Sequence, residues 1–309
     1  MIIESHISFV RLLRVMWHRL IFLFLVALTT VLASYGLKEY EHWAAGIDLS
    51  VPLVLGTALS IFLGFRTNSG YERWWEARKL WGAIINDTRS ACRLFKDFLG
   101  AQGEPDADGN RERIDSFFLR QAAWSQVLAQ QLRGLPPMQG TDHLLSAEEK
   151  AAIGASKNPA MAVLFAQGAA VREASMAGQL DVRQAVYIEE TISHLTDHQG
   201  GCERIKKTVF PAHYTFFTKI FIWVFLVLLG LSLPGQGGVG LFSIPAVFLI
   251  GWVFFLVDGI GDYMQDPFEN NRNSTPMLTI ARMLEIDVRE LKGDKDLPDP
   301  IAPVDGAAW

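Results

Sequence analysis

The chain has 309 residues, of which 50% are hydrophobic and 20% are charged, and its formal net charge is −5. It is too apolar for a typical soluble protein, yet it carries many charges, so we expect a membrane part beside a soluble part. The negative net charge argues against a nucleic-acid-binding protein. The two cysteines, Cys92 and Cys202, are too few for a disulfide scaffold, and the absence of a CxxC partner for either argues against a thiolate metal site.

The first predicted element is an amphipathic lead over residues 1–19, followed by an apolar run from 20 to 37. This run of about 18 residues is longer than the apolar core of a signal peptide and lacks a good cleavage site, so we predict a membrane span. A polar loop over 38–50 follows, with Tyr40 and Trp43 as anchors at the membrane interface.

The second predicted span is the start of a longer helix. No ionisable residue occurs from Leu49 to Phe65, and about 17 helical residues cover roughly 25 Å, enough to cross a hydrocarbon core. The charged and aromatic segment from Arg66 to Trp81 follows without a break signal. We therefore predict that this helix leaves the bilayer, with residues 20–66 forming the first two spans.

Two rows of residues repeat every four positions along this span. The small-residue row is Gly56, Ser60 and Gly64, and the row beside it is Thr57, Ile61 and Phe65. Small residues at this spacing let helices approach closely in lipid, whereas the second row stacks on one line of the helix. The second row either packs in a bundle or lines a path.

Residues 67–211 form the predicted cytosolic region. Apolar residues recur there at three and four positions, and no period-two alternation is sustained, so we predict a layer made only of helices. Turns are predicted at 100–110, 134–140 and 157–159. Ser146 and Glu149 have the spacing of a capping box.

Residues 212–258 contain the third and fourth predicted spans, which form a hairpin through the glycine-rich turn at 234–240. Lys219 lies near the start of the third span, where its side chain reaches the headgroups. Pro245 is predicted to kink the fourth span.

Basic residues set the predicted orientation. They flank one side of the four spans: Arg11, Arg14, Arg19, Arg66, Arg73, Arg78, Lys79, Arg204, Lys206, Lys207, Arg272 and Arg282. The loops on the other side contain only Lys38. The positive-inside rule then predicts a multi-pass membrane protein with both termini and the helical layer in the cytoplasm.

An acidic row runs from the end of the fourth span into the C-terminal segment, residues 259–309: Asp258, Asp262, Asp266 and then Glu269. It is interpreted either as a solvated face that pairs with Arg66 or Arg73, or as a cation site. The tail beyond Leu291 is polar and rich in proline, which predicts disorder or an extended segment laid on a neighbour.

Catalytic motifs are absent from the sequence, since it has no P-loop, GxSxG elbow or Rossmann fingerprint. His194 and His198 have the spacing of half a zinc site, but Leu195 stands where a metalloprotease has its glutamate. We therefore predict no enzyme, no metal and no cofactor.

The sequence FLGFRTNSGYERWWEARKLWG, from Phe62 to Gly82, resembles the signature of the bestrophin family, including its bacterial branch. Further matches are GGCERI at 200–205, the residues Pro211, Tyr214 and Thr215, and the triplet Asp266, Pro267 and Phe268. The resemblance covers roughly residues 9–291. It implies an all-α membrane protein with four transmembrane helices and a large cytosolic helical layer, assembled as a homopentamer.

The resemblance also implies roles for particular residues. Thr57, Ile61 and Phe65 match the three neck residues, although Thr57 departs from the apolar side chains usual there. A cytosolic aperture falls on Arg183 or on Val186, depending on the anchor used for alignment. The acidic cluster that forms the calcium clasp of animal bestrophins is missing after Phe268, so calcium gating is not carried over.

The resulting hypothesis is a pentameric channel of a bacterial inner membrane that conducts small monovalent ions passively, with anions such as chloride slightly favoured. Its partners are other copies of the chain, membrane lipid and the permeant ions. One alternative is a monovalent cation channel of the same fold. Two others are a membrane-anchored interaction or sensor protein, which binds a partner through the helix containing Trp124 to Leu132, and a membrane metalloenzyme using His194 and His198.

Overall fold

The computed structural model describes residues 9–41, 47–100, 109–208, 212–236, 239–269, 271 and 273–303. The regular secondary structure in these ranges is helical, as predicted, and consists of α-helices with two short 3-10 helices at 233–235 and 240–242. The helices are α1 (Phe9–Glu41), α2 (Ser50–Gly100), α3 (Asn110–Leu132), α4 (Ala147–Gly154), α5 (Pro159–Met176), α6 (Val182–Lys207), α7 (Ala212–Ser232), α8 (Ser243–Met264) and α9 (Met277–Lys292). Several residues named above lie outside the described residues: Trp43, Pro211 and Arg272, with parts of the lead, turns and tail.

The helices form two compact units. The span unit contains α1, α2 as far as Arg73, α7 and α8. The layer unit contains α2 from Trp74 onward, α3 to α6, and α9. Residues 67–73 of α2 therefore belong to the span unit, and the membrane boundary at residue 66 stays a prediction.

In the span unit, four helices are long and apolar enough to cross a membrane, as predicted. Small residues allow close packing between them. A Cβ added to Gly251 of α8 would lie 2.6 Å from Leu23 Cδ1 of α1, and one added to Gly230 of α7 would overlap Thr30 of α1. A methyl group at Gly230 would collide with Thr30, and one at Gly251 would require leucine side chains to shift, so both glycines favour close approach of the helices.

Two local predictions in the span unit were wrong. Pro245 does not interrupt a helix, because α8 begins at Ser243 and its first-turn N–H groups have no partner inside the helix in any case. Lys38 was placed in a loop, but α1 continues to Glu41 because no proline interrupts the helix after Leu37.

The layer unit is built around α3, which contacts α5, α6 and α9. The rings of Phe95 on α2 and Phe117 on α3 stack with centroids 4.1 Å apart. Trp124, Leu128 and Leu132 are almost completely buried. The Trp124 to Leu132 segment is therefore core and offers little surface to a docking partner.

A polar network joins three helices of the layer unit. Trp124 Nε1 donates to Gln199 Oε1 at 3.1 Å, and Gln199 and Asn158 both donate to Glu203 Oε1, at 2.8 and 2.9 Å. Burial raises the pKa of Glu203, but these hydrogen bonds and the nearby Lys207 ammonium together more than offset burial, so its pKa is lowered. The network holds α3, the start of α5 and α6 together.

Helix ends in the layer unit follow the expected chemistry. Ser146 and Glu149 form the predicted capping box of α4. Asn158 caps α5 ahead of Pro159, so the predicted turn there is confirmed. Gly134 and Gly140 adopt positive φ angles in the predicted turn between α3 and α4.

Candidate functional site

The row Thr57, Ile61 and Phe65 lies on an exposed side of α2 in the span unit. Ile61 is 58% exposed and Phe65 is 66% exposed, and Thr57 is exposed as well. Thr57 Oγ1 donates to the Leu53 carbonyl oxygen at 2.9 Å, so this hydroxyl is already satisfied by its own helix. The row therefore presents two large apolar side chains and one short polar one to whatever lies beside α2.

The small-residue row has three different environments. A Cβ on Gly56 would lie 2.7 Å from Phe225 Cε2 of α7, so Gly56 packs inside the span unit. Ser60 is exposed and donates to the Gly56 carbonyl oxygen at 2.8 Å. Gly64 has open space around it and lines a cleft of about 430 Å³.

Arg66 lies at the centre of a buried charged cluster in the span unit. Its side chain is 2% exposed, and its two terminal nitrogens form ion pairs with Asp258 and Asp262 of α8. Its Nη2 also donates to Thr215 Oγ1 of α7 at 3.3 Å. Lys219 Nζ of α7 lies 3.3 Å from Asp262 Oδ2, so two cations face two carboxylates.

The acidic row is divided by this arrangement. Asp258 is buried rather than solvated, with a fully covered side chain, whereas Asp262 is partly exposed. Asp266 lies beyond the end of α8 and belongs to the layer unit, as does Glu269, which pairs with Lys206 at 2.6 Å. Among the described residues, no cluster of histidine, cysteine and carboxylate side chains could hold a metal ion.

The two histidines of α6 do not converge on a common site. His198 Nε2 lies 2.8 Å from Asp87 Oδ2 of α2, within the layer unit. His194 is exposed. A pair of imidazoles in these environments lacks the third ligand that a zinc site needs.

Arg183 and Val186, the two aperture candidates, lie on the first turns of α6. Asp181 caps this helix, and its carboxylate accepts hydrogen bonds from the backbone N–H groups of Arg183 and Gln184. Arg183 is exposed and forms no ion pair with any residue in the described part of the chain. Val186 is 59% exposed. Residues three apart share a helix face, so both side chains point to the same side.

Two members of the Arg66 cluster were not predicted from the sequence. Lys219 was assigned to the headgroups, and Thr215 was only a point of resemblance. A lysine inside an apolar span was the available signal, because ionisable residues within spans are costly and usually have a partner. The partner of Lys219, Asp262, lies on a different helix, α8, so the sequence alone did not identify it.

The model of the family described as Bacterial/Fungal Bestrophin protein matches residues 6–290. The chain belongs to this bestrophin family. The family resemblance drawn from the sequence is thereby confirmed, and the chain is a membrane protein with four apolar helices of spanning length.

Relatives and solved structures agree with this assignment. The voltage-dependent anion channel-forming protein YneE of Escherichia coli K12 is 30% identical over 286 residues, which cover 92% of this chain and 89% of the relative. The voltage-dependent anion channel-forming protein RSc3414 of Ralstonia nicotianae is 29% identical, and the match covers 98% of both chains. A crystal structure of a bacterial bestrophin homolog from Klebsiella pneumoniae has a TM-score of 0.82 and 25% identity, covering 91% of this chain and 100% of the homolog.

Proposed function

We propose that five copies of this chain form a passive ion channel in the bacterial inner membrane, with both termini in the cytoplasm. It conducts small monovalent ions and favours anions such as chloride. The names of the relatives support an anion channel, and the family points to a channel rather than an enzyme. Lipid surrounds the spans, and no nucleic acid takes part.

One observation carries the pore assignment. Ile61 and Phe65 are large apolar residues on one line of a spanning helix, and both are more than half exposed within their own unit. In a five-fold assembly with α2 nearest the axis, each would form a ring. Such rings make a constriction that water leaves readily, so ions cross it only with a dehydration penalty.

Thr57 completes the proposed neck on its outer side. Its hydroxyl donates within α2, but the oxygen still accepts hydrogen bonds from water. A ring of five threonines is therefore wetter than the two rings beyond it. We infer a hydrophobic barrier that spans Ile61 and Phe65 and is shorter than three apolar rings would give.

The neck is tested by replacing Ile61 and Phe65 with alanine together. Removing both rings widens and wets the constriction, so we expect the ion current per channel to rise about tenfold, equivalent to a barrier lower by about 1.4 kcal/mol. Single-channel recording of purified protein in planar bilayers measures this. The matched control replaces Phe217 and Ile220 of α7, which are also exposed on a spanning helix, and should leave the current unchanged. An absence of conductance from the parent protein, or equal currents in parent and variant, contradicts the pore assignment.

Selectivity is assigned to Arg183 in this proposal, with Val186 as the competing aperture residue. Five guanidinium groups around the exit raise the local concentration of anions. We expect Arg183→Gln to shift the reversal potential in asymmetric KCl away from the chloride equilibrium, and the shift to shrink in high salt because ions screen the ring. Val186→Ala and the exposed control Arg172→Gln should leave the reversal potential unchanged. Cation selectivity in the parent protein favours the alternative cation channel and rejects the arginine ring.

A further inference from the structure

Arg66 follows Phe65 directly, yet the two side chains lie on different sides of α2. Phe65 is 66% exposed and Arg66 is 2% exposed. One residue step turns an α-helix by about 100°. The rotation of α2 that buries Arg66 is therefore the same rotation that leaves Phe65 pointing outward, so whatever fixes Arg66 also fixes Phe65.

The contacts of Arg66 are of a kind that resists rotation. The guanidinium is a planar fork whose two terminal nitrogens bind Asp258 and Asp262, which are one turn apart on α8. Thr215 of α7 adds a third contact, from the Nη2 side of the fork. A rigid fork held from two helices specifies orientation, whereas a single ammonium group specifies only proximity.

Backbone packing next to the cluster reinforces the same placement. A Cβ added to Gly70 would lie 3.1 Å from the Gly261 carbonyl oxygen of α8. The backbones of α2 and α8 are therefore in close contact one turn beyond Arg66. A rotation of α2 would have to break the ion pairs and change this contact together.

We propose that Arg66 is a positioning residue of the pore helix: clamped by Asp258, Asp262 and Thr215, it fixes the rotation of α2 and so holds Phe65 toward the channel axis. This inference rests on the proposed function. It explains why the span unit keeps a buried ion cluster at all, because buried ion pairs add little net stability and their best-attested use is to fix one arrangement over another.

Disulfide cross-linking at the proposed neck tests this role without measuring conduction. In the full-length protein, Phe65→Cys is oxidised with copper phenanthroline and the cross-linked fraction is read on a non-reducing gel. The native cysteines Cys92 and Cys202 are buried and do not compete. The test variant adds Arg66→Gln and Asp258→Asn, which removes both ion pairs of Arg66, while Asp262 keeps its pair with Lys219.

We expect Phe65→Cys alone to cross-link neighbouring copies and the yield to fall about threefold in the test variant, because α2 then samples several rotations. The control adds Arg93→Gln, an exposed arginine of α2 paired with Asp97, and keeps the full yield. Equal yields with and without the Arg66 cluster overturn the positioning role and leave the neck standing. If none of the variants cross-links, the five-fold neck is overturned, and the positioning role is overturned with it.

A second variant decides the question if the first one does not assemble. Arg66→Lys keeps the positive charge beside Asp258 and removes the fork. In the Phe65→Cys background we expect an intermediate cross-linking yield, since one ammonium group does not hold both carboxylates and Thr215 in one geometry. A yield equal to that of Phe65→Cys alone contradicts the proposal.

Discussion

Replacing Arg66 by methionine is expected to lower the free energy of unfolding by about 3–5 kcal/mol, since the change leaves a buried carboxylate without its cation. The Asp258 side chain is fully covered, so water does not replace the missing guanidinium. The loss of Arg66 costs less at Asp262, because this carboxylate is partly exposed and keeps its ion pair with Lys219. Thermal unfolding of the purified protein in detergent, followed by circular dichroism, measures the loss.

Two further variants separate this effect from a general intolerance to change. Arg66→Met combined with Asp258→Leu should recover most of the stability, because replacing a buried ion pair by apolar side chains is often neutral. Arg93→Met removes an exposed pair with Asp97 and should cost less than about 1 kcal/mol. If Arg66→Met is as stable as the parent protein, the guanidinium does not compensate Asp258.

Only part of the Arg66 cluster was predictable from the sequence. Four-residue spacing placed Asp258 and Asp262 on one helix face, and the basic collar made Arg66 a candidate partner. The sequence did not indicate that Asp258 is buried, because burial depends on which helices cover it. Pro267, by contrast, marks the end of α8 at Met264, and because the residue before a proline is disfavoured in a helix, the departure of Asp266 from the row could have been predicted from the sequence.

The spans and the helical layer were predictable for physical reasons. A stretch such as Leu49 to Phe65, without an ionisable group, has few stable environments other than a bilayer. The capping box at Ser146 and the turn at Asn158 are local chemistry, visible without a fold. The environments of Gly56 and Gly64 were not predictable. Both belong to one small-residue row, yet one packs on Phe225 and the other faces an open cleft.

The second large effect is expected in the layer unit. Trp124→Ala should lower the free energy of unfolding by about 3–5 kcal/mol, since it removes a completely buried indole from close-packed surroundings. The loss has two parts: a cavity beside α3, and a hydrogen bond withdrawn from Gln199 Oε1. Trp124→Phe keeps a six-membered ring but loses the pyrrole ring with its Nε1 donor, so it should cost less, about 1–3 kcal/mol. Chemical denaturation of the full-length protein, followed by circular dichroism, measures both.

Trp75→Ala is the matched control for this prediction, because Trp75 is 45% exposed and its removal creates no enclosed cavity. Equal losses at the two tryptophans would show that Trp124 is not the packing centre of α3.

The consequence for the channel follows from Gln199, which lies on α6, the helix whose first turns carry Arg183 and Val186. Without the hydrogen bond from Trp124 Nε1, α6 is held less firmly against α3. We therefore expect Trp124→Phe to weaken ion selectivity through the proposed aperture while the current through the neck is unchanged.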